Sequence, residues 1–293
     1  MQGFAGMVRG LPPELRTAPW RDRRGRVSAL KAVCFVLLFY PAGWMLVHWQ
    51  AGIWPALFPK ALLTYWSGVW AMVVLLVTLA VTPIRQIFGW SRLLQIRRML
   101  GVAALIYSAA HLVIYFWLRS WDAAFILNET LTRLSLVIAT LALLGLIVLG
   151  ATSLDQVIRR MGAARWARLH RWTYALTGLA LLHFLLSPGS TSGLPFLMFG
   201  VYVWLMGWRW LAAQGRGHGL AALCGLGVST VLITVATEAL LPYVLTGQSP
   251  SDALALNFSL AAGLPAVWSL IIVVAAVPVA LALRRAGEAC LSH

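Results

Sequence analysis

The sequence predicts an all-α integral membrane protein, a bundle of about eight transmembrane helices, from three observations. Hydrophobic residues make up 61% of the 293 residues and charged residues only 11%, less than half of the roughly 25% usual in a soluble domain. Mean hydropathy is +0.83, so most of the chain requires an apolar solvent. Apolar runs long enough to cross a hydrocarbon layer recur from Leu30 almost to the C-terminus.

In order, the runs lie near Leu30–Trp49, Leu62–Ile84, Leu100–Leu118, Leu134–Ala151, Trp172–Leu186, Leu194–Leu211, Gly219–Val244 and Leu264–Leu283. Pro41 and Pro278 are expected to kink the first and the last. The fifth run is short and is expected to begin earlier, near Arg168 or Leu169. Ahead of the first run, residues 1–29 carry Pro12, Pro13 and a cluster at Arg21, Arg23, Arg24 and Arg26. A cleavable signal would place a short apolar stretch directly after a small basic region, so this segment reads as a retained basic cytoplasmic arm.

The charge pattern sets orientation and excludes one class of partner. The net charge is +15, yet the arginines fall in short clusters between the apolar runs instead of in one basic patch. Arg85, Arg92, Arg97 and Arg98 follow the second run, and Arg159, Arg160, Arg165 and Arg168 follow the fourth. Arg209 and Arg216 follow the sixth, and Arg284 and Arg285 the eighth. The alternate loops are poor in cations, and their Arg119 and Arg133 are balanced by Asp122 and Glu129. That is the positive-inside pattern of a multi-pass protein with both termini cytoplasmic, and it argues against nucleic-acid binding. Trp44, Trp49, Trp117, Trp121, Trp166, Trp172, Trp208 and Trp210 lie near the expected interfaces, as in an aromatic belt. The three cysteines are far apart and form no CxxC, so neither a zinc site nor a disulfide framework is indicated.

Polar residues inside a span are costly to bury and therefore informative. His111 lies deep in the third span and His183 toward the far end of the fifth, while His170 stands at the fifth span's cytoplasmic entrance. Counting from the arginine-rich entrances, His111 is 14 residues beyond Arg97 and His183 is 13 beyond His170. Both spans run outward, so the two histidines reach similar depth, and on neighbouring helices their imidazoles could hold one metal. Two imidazoles from two helices suit a low-spin b-type haem. Zinc would require further ligands at that depth. Thirteen residues turn an ideal helix by about 220° beyond whole turns, so aiming His170 and His183 at one face needs a distorted first turn. Arg97, Arg98 and Arg168 flank the His170 level, where propionates or a flavin phosphate would find cations; topology signalling explains them equally well. Glu238 is the one carboxylate embedded in an apolar run, suited to taking protons from a quinol or to bonding a neighbouring helix.

The stretch VTPIRQIFGWSRLLQIRRMLGVAALIYSAAHLVIYF and the later RLHRWTYALTGLALLHFL together resemble the MsrQ family, a branch of the ferric-reductase-like transmembrane superfamily. The resemblance runs from about Leu30 to Leu211. It implies a six-helix haem-binding core over residues 30–211, leaving residues 212–293 as a two-helix C-terminal membrane extension and short tail. It implies one or two haem b groups, with the family's histidines falling on His111, His170 and His183, and a bound flavin mononucleotide. The implied role is an electron-transfer subunit in a bacterial inner membrane, fed by quinol or a cytoplasmic flavin reductase. Its implied acceptor is a periplasmic molybdenum-containing methionine sulfoxide reductase. Related reductases fuse a nicotinamide-binding domain to this core, and no GxGxxG or Walker loop occurs here, so a subunit is expected in place of a self-contained enzyme. A related cytochrome serving ferric iron or another periplasmic acceptor stays open, as does a non-redox scaffold or transporter.

Overall fold

The computed structural model describes residues 18–21, 26–55, 57–187, 193–252, 255 and 266–291. Most of the N-terminal arm therefore lies outside the described residues, as does the start of the eighth run. Apart from a turn at Leu38–Phe39 and single end residues, the described parts of the eight apolar runs are helical. This follows from the solvent, because a chain in hydrocarbon must satisfy each backbone N–H and C=O within itself.

The first run is two helices, α1 (Ala29–Leu37) and α2 (Tyr40–Gln50), with Pro41 in the first turn of α2. Pro41 has no N–H to give the carbonyl four residues back, Leu37, and α1 ends there. The expected kink is thus a break. The second run is the 30-residue helix α3 (Pro59–Phe88), which continues through Pro83. Pro83 leaves the Leu79 carbonyl without its intrahelical donor. Arg209 Nη2 supplies the replacement at 2.6 Å, while its Nη1 donates to Leu205 O at 2.7 Å.

A 3₁₀ turn at Ser91–Gln95 leads into α4 (Arg97–Leu118). Between α4 and the next span the chain forms a helix that the apolar pattern does not announce, α5 (Ala123–Thr132). Asp122 starts it by accepting a hydrogen bond from Phe125 N at 2.9 Å. Glu129, buried within it, accepts from Tyr115 Oη at 2.6 Å and Arg119 Nη2 at 2.7 Å, with Arg133 Nη1 at 3.1 Å. A buried carboxylate is tolerated because it is paired and hydrogen-bonded in this way.

Then come α6 (Leu134–Ala151), two short helices α7 (Asp155–Met161) and α8 (Ala163–His170), and α9 (Trp172–Leu185). The last three are α10 (Gly193–Ala213), α11 (Leu220–Thr246) and α12 (Ala266–Leu291). Among the described residues six helical spans are long and apolar enough to cross a membrane: α1–α2 together, α3, α4, α6, α10 and α11. The fifth expected span is the 14-residue α9, and α12 holds the eighth. Outward-facing Leu141, Leu144 and Val148 on α6 are exposed, as lipid-facing residues would be.

The chain divides into two compact units. The first comprises the described residues of Met1–Thr78 and Arg92–Leu179. In it a Cβ at Gly145 would run into the Leu176 side chain, so the absence of one lets α6 and α9 approach closely. The second comprises the described residues of Leu79–Ser91 and Ala180–His293, where α10, α11 and α12 pack together. Trp208 and Leu270 are buried in its core, together with Thr230 and Thr234. Trp208 Nε1 donates to Gly217 O at 3.1 Å, closing the link between α10 and α11.

Candidate functional site

His111 sits on α4 within the first unit, half-buried against α3. Its Nδ1 lies 3.0 Å from Thr64 O and 3.0 Å from Ser67 Oγ. A carbonyl oxygen only accepts, so Nδ1 carries the hydrogen and the ring's lone pair is on Nε2. Ser67 Oγ also donates to Thr64 O at 2.8 Å. Directly beside the ring is Gly68, where a Cβ would stand 3.0 Å from His111 Cε1 and 3.2 Å from Nδ1. A carbonyl orienting one ring nitrogen is the usual support of a metal-ligating histidine.

His170 ends α8 at the opposite end of α4. Its Nε2 is 3.3 Å from Thr152 Oγ1, and that hydroxyl donates to Val148 O at 2.8 Å. The hydroxyl hydrogen being committed, His170 Nε2 is the donor and its lone pair is on Nδ1. Trp166 stacks on the ring with centroids 4.1 Å apart and donates from Nε1 to Thr152 O at 3.0 Å. Burial, and secondarily the positive charge of Arg97, hold the imidazole below its ordinary pKa. The helix is interrupted at Arg171, and Tyr174 N bonds to Arg171 O at 3.2 Å in a tightened i, i+3 turn.

Of the predicted cations, Arg97 and Arg168 line a cleft of about 350 Å³ with His170, Trp166, Arg171 and Tyr174. Arg98 is instead engaged by Asp155 at 2.6 Å. His170 therefore stands at the level of Arg97, and His111 lies 14 residues further along the same helix, about 21 Å away at 1.5 Å per residue. His183 is on the part of α9 that belongs to the second unit, and its carbonyl accepts from Ser187 Oγ at 2.7 Å. Glu238 is buried on α11, on the same face as Thr230 and Thr234. His48 packs on Trp44, with centroids 4.0 Å apart. Among the described residues no group of three or more His, Cys, Asp or Glu is placed to hold a metal ion.

Sequence reasoning overlooked Thr64, Ser67, Gly68 and Thr152. The available signal was the small Ser67–Gly68 pair in an otherwise bulky apolar run, since small residues in a span mark close helix approach.

Six helical spans among the described residues, long and apolar enough to cross a membrane, define a multi-pass membrane protein, and the comparisons assign it to the ferric-reductase-like class. The family described as ferric reductase like transmembrane component matches residues 67–181. A protein-methionine-sulfoxide reductase heme-binding subunit MsrQ from Azospira oryzae is 35% identical over 189 residues, covering 63% of this chain and 79% of the relative. Its counterpart from Bordetella pertussis is 36% identical over 200 residues, covering 67% and 94%. That from Rhodospirillum rubrum is 32% identical over 197 residues, covering 67% and 92%. No solved structure gives a significant match. The chain belongs to the MsrQ family.

Proposed function

We propose that this chain is the haem b membrane subunit of a methionine sulfoxide reductase system, with His111 and His183 as ligands of one haem and His170 as a ligand at a second level. When bound, a b-type haem supplies reversible one-electron chemistry. The chain's contribution is to hold, orient and shield that group. The observation that carries the reading is the hydrogen bond from His111 Nδ1 to Thr64 O inside a membrane span, which presents Nε2 for coordination. His183 matches His111 in depth by its count of residues from the arginine-rich entrance.

At the inner level Arg97 and Arg168 offer guanidinium groups to propionates or to the phosphate of flavin mononucleotide. Arg98 braces this end of the molecule through Asp155 and would reach an anion only by giving up that partner. His170 would coordinate through Nδ1, or through Nε2 once its Thr152 bond opens. Electrons would enter at this face from quinol or a cytoplasmic flavin reductase and leave from the His111 level to a periplasmic molybdenum-containing reductase. In this reading the protein lies in a bacterial inner membrane with both termini cytoplasmic, residues 30–211 forming the haem-binding domain and residues 212–293 a two-helix C-terminal membrane extension and short tail.

The test is a dithionite-reduced minus oxidised spectrum of the detergent-purified protein, with a pyridine haemochrome assay for stoichiometry. A b-type signal at one or two haems per chain supports the reading. A protein that stays colourless after haem reconstitution overturns it.

A further inference from the structure

We propose that Ser67 and Gly68 of α3 are positioning residues that set the aim and the electron-donating strength of the His111 imidazole, an inference that rests on the haem reading above. Three features of one helical turn converge on this ring. Thr64 O and Ser67 Oγ each stand 3.0 Å from Nδ1. Ser67, 1% exposed, donates its own hydroxyl hydrogen to the same Thr64 oxygen at 2.8 Å. Gly68 offers only backbone where any side chain would meet the imidazole, its ideal Cβ being 3.0 Å from Cε1, 3.2 Å from Nδ1 and 3.5 Å from Nε2. The ring is thus held by hydrogen bonds at one nitrogen and given room at Gly68.

Each residue has a separable effect. The stronger the acceptor facing Nδ1–H, the more imidazolate character the ring gains and the better Nε2 donates to a metal. Ser67 Oγ takes a share of the Nδ1–H bond as a weaker acceptor than a carbonyl, and its own hydrogen draws on the Thr64 oxygen, so both effects keep the imidazole a moderate donor. Removing the hydroxyl strengthens the remaining bond, favours the oxidised metal and lowers the midpoint potential. Adding a methyl group at Gly68 leaves Nδ1 bonded but pushes the ring aside by tenths of an ångström, because a Cβ contact at 3.0 Å is tighter than side chains normally make. That displacement degrades coordination geometry.

The experiment uses full-length protein purified in detergent with its haem, as wild type, Ser67→Ala, Gly68→Ala and Gly101→Ala. Gly101 lies on the same helix as His111, and a Cβ there meets nothing within 4 Å, so it controls for a generic glycine effect. Four quantities are measured: haem per chain, the low-spin electron paramagnetic resonance g values, the midpoint potential, and the rate of haem transfer to apomyoglobin. Ser67→Ala should retain haem with shifted g values and a lower potential. Gly68→Ala should shift the g values and release haem about tenfold faster, the lower end of what loss of ligand support costs. Gly101→Ala should match wild type.

Wild-type g values, potential and haem release in both Ser67→Ala and Gly68→Ala overturn the proposal while leaving the haem reading intact, as does a raised potential in Ser67→Ala. If Gly68→Ala fails to fold, the Ser67→Ala potential decides alone. A wild-type protein with no haem signal overturns both.

Discussion

At the scale of the residue, His111 and His170 of the first unit differ in which nitrogen is committed. His111 gives its Nδ1 hydrogen to a backbone carbonyl, whereas His170 gives its Nε2 hydrogen to the hydroxyl of Thr152. The physical origin is the acceptor within reach: the Thr64 carbonyl of α3 in one case, a threonine whose own hydrogen is spent on its helix in the other. His111→Ala and His183→Ala should therefore each abolish the same bis-histidine signal in the difference spectrum, and retention of a full signal in either variant would show the pairing to be wrong. His170→Ala should leave that signal and remove or alter a second one, measured as haem per chain and as the rate of reduction from the inner face. Unchanged stoichiometry and kinetics would remove His170 from the ligand set.

At the scale of the element, prolines and charges inside spans are accommodated by neighbours supplied from elsewhere in the chain. Pro83 deprives Leu79 of a donor, and Arg209 supplies one from 130 residues away. Arg209→Leu leaves that carbonyl unsatisfied, at an expected cost of about 1–3 kcal/mol, read as a fall in thermal unfolding temperature in detergent. Combining it with Pro83→Ala restores an N–H to the helix, so the double variant should lose less than Arg209→Leu alone. An additive or larger loss would mean that Arg209 acts through other contacts. On α5, Glu129 collects Tyr115, Arg119 and Arg133 around one buried carboxylate. Glu129→Ala leaves those donors without their acceptor and should destabilise the protein by about 1–3 kcal/mol, a figure kept low because both arginines are partly exposed. The helix itself escaped the sequence pattern because a ten-residue segment containing Asn128 and Glu129 has neither the length nor the apolarity of a span.

At the scale of the whole molecule, the matched relatives account for about two thirds of the chain, and α10, α11 and α12 form a packed group of their own. Truncation after Leu211 removes the Leu226, Thr234 and Leu270 side chains that meet α10 at Gly200 and Gly207, and the Gly217 carbonyl that Trp208 bonds. The truncated protein should keep the haem signal with a lower unfolding temperature. Complete loss of haem would show instead that the C-terminal helices belong to the haem-binding core.

What the sequence by itself determined was the solvent, the helices and the candidate ligands. Apolar runs must become helices in hydrocarbon, since no water is present to satisfy the backbone, and histidines are conspicuous where polar residues are costly. The family resemblance was also readable, because it rests on contiguous motifs. Only the tertiary structure decided which groups surround those histidines. Thr64 and His111 are 47 residues apart, and the bond between them exists because α3 and α4 lie side by side. The same holds for Arg209 and Leu79, which are 130 residues apart. Hydropathy records how much each residue prefers lipid; which neighbour completes its hydrogen bonds is set by helix packing, where close approach depends on single small residues such as Gly68 and Gly145.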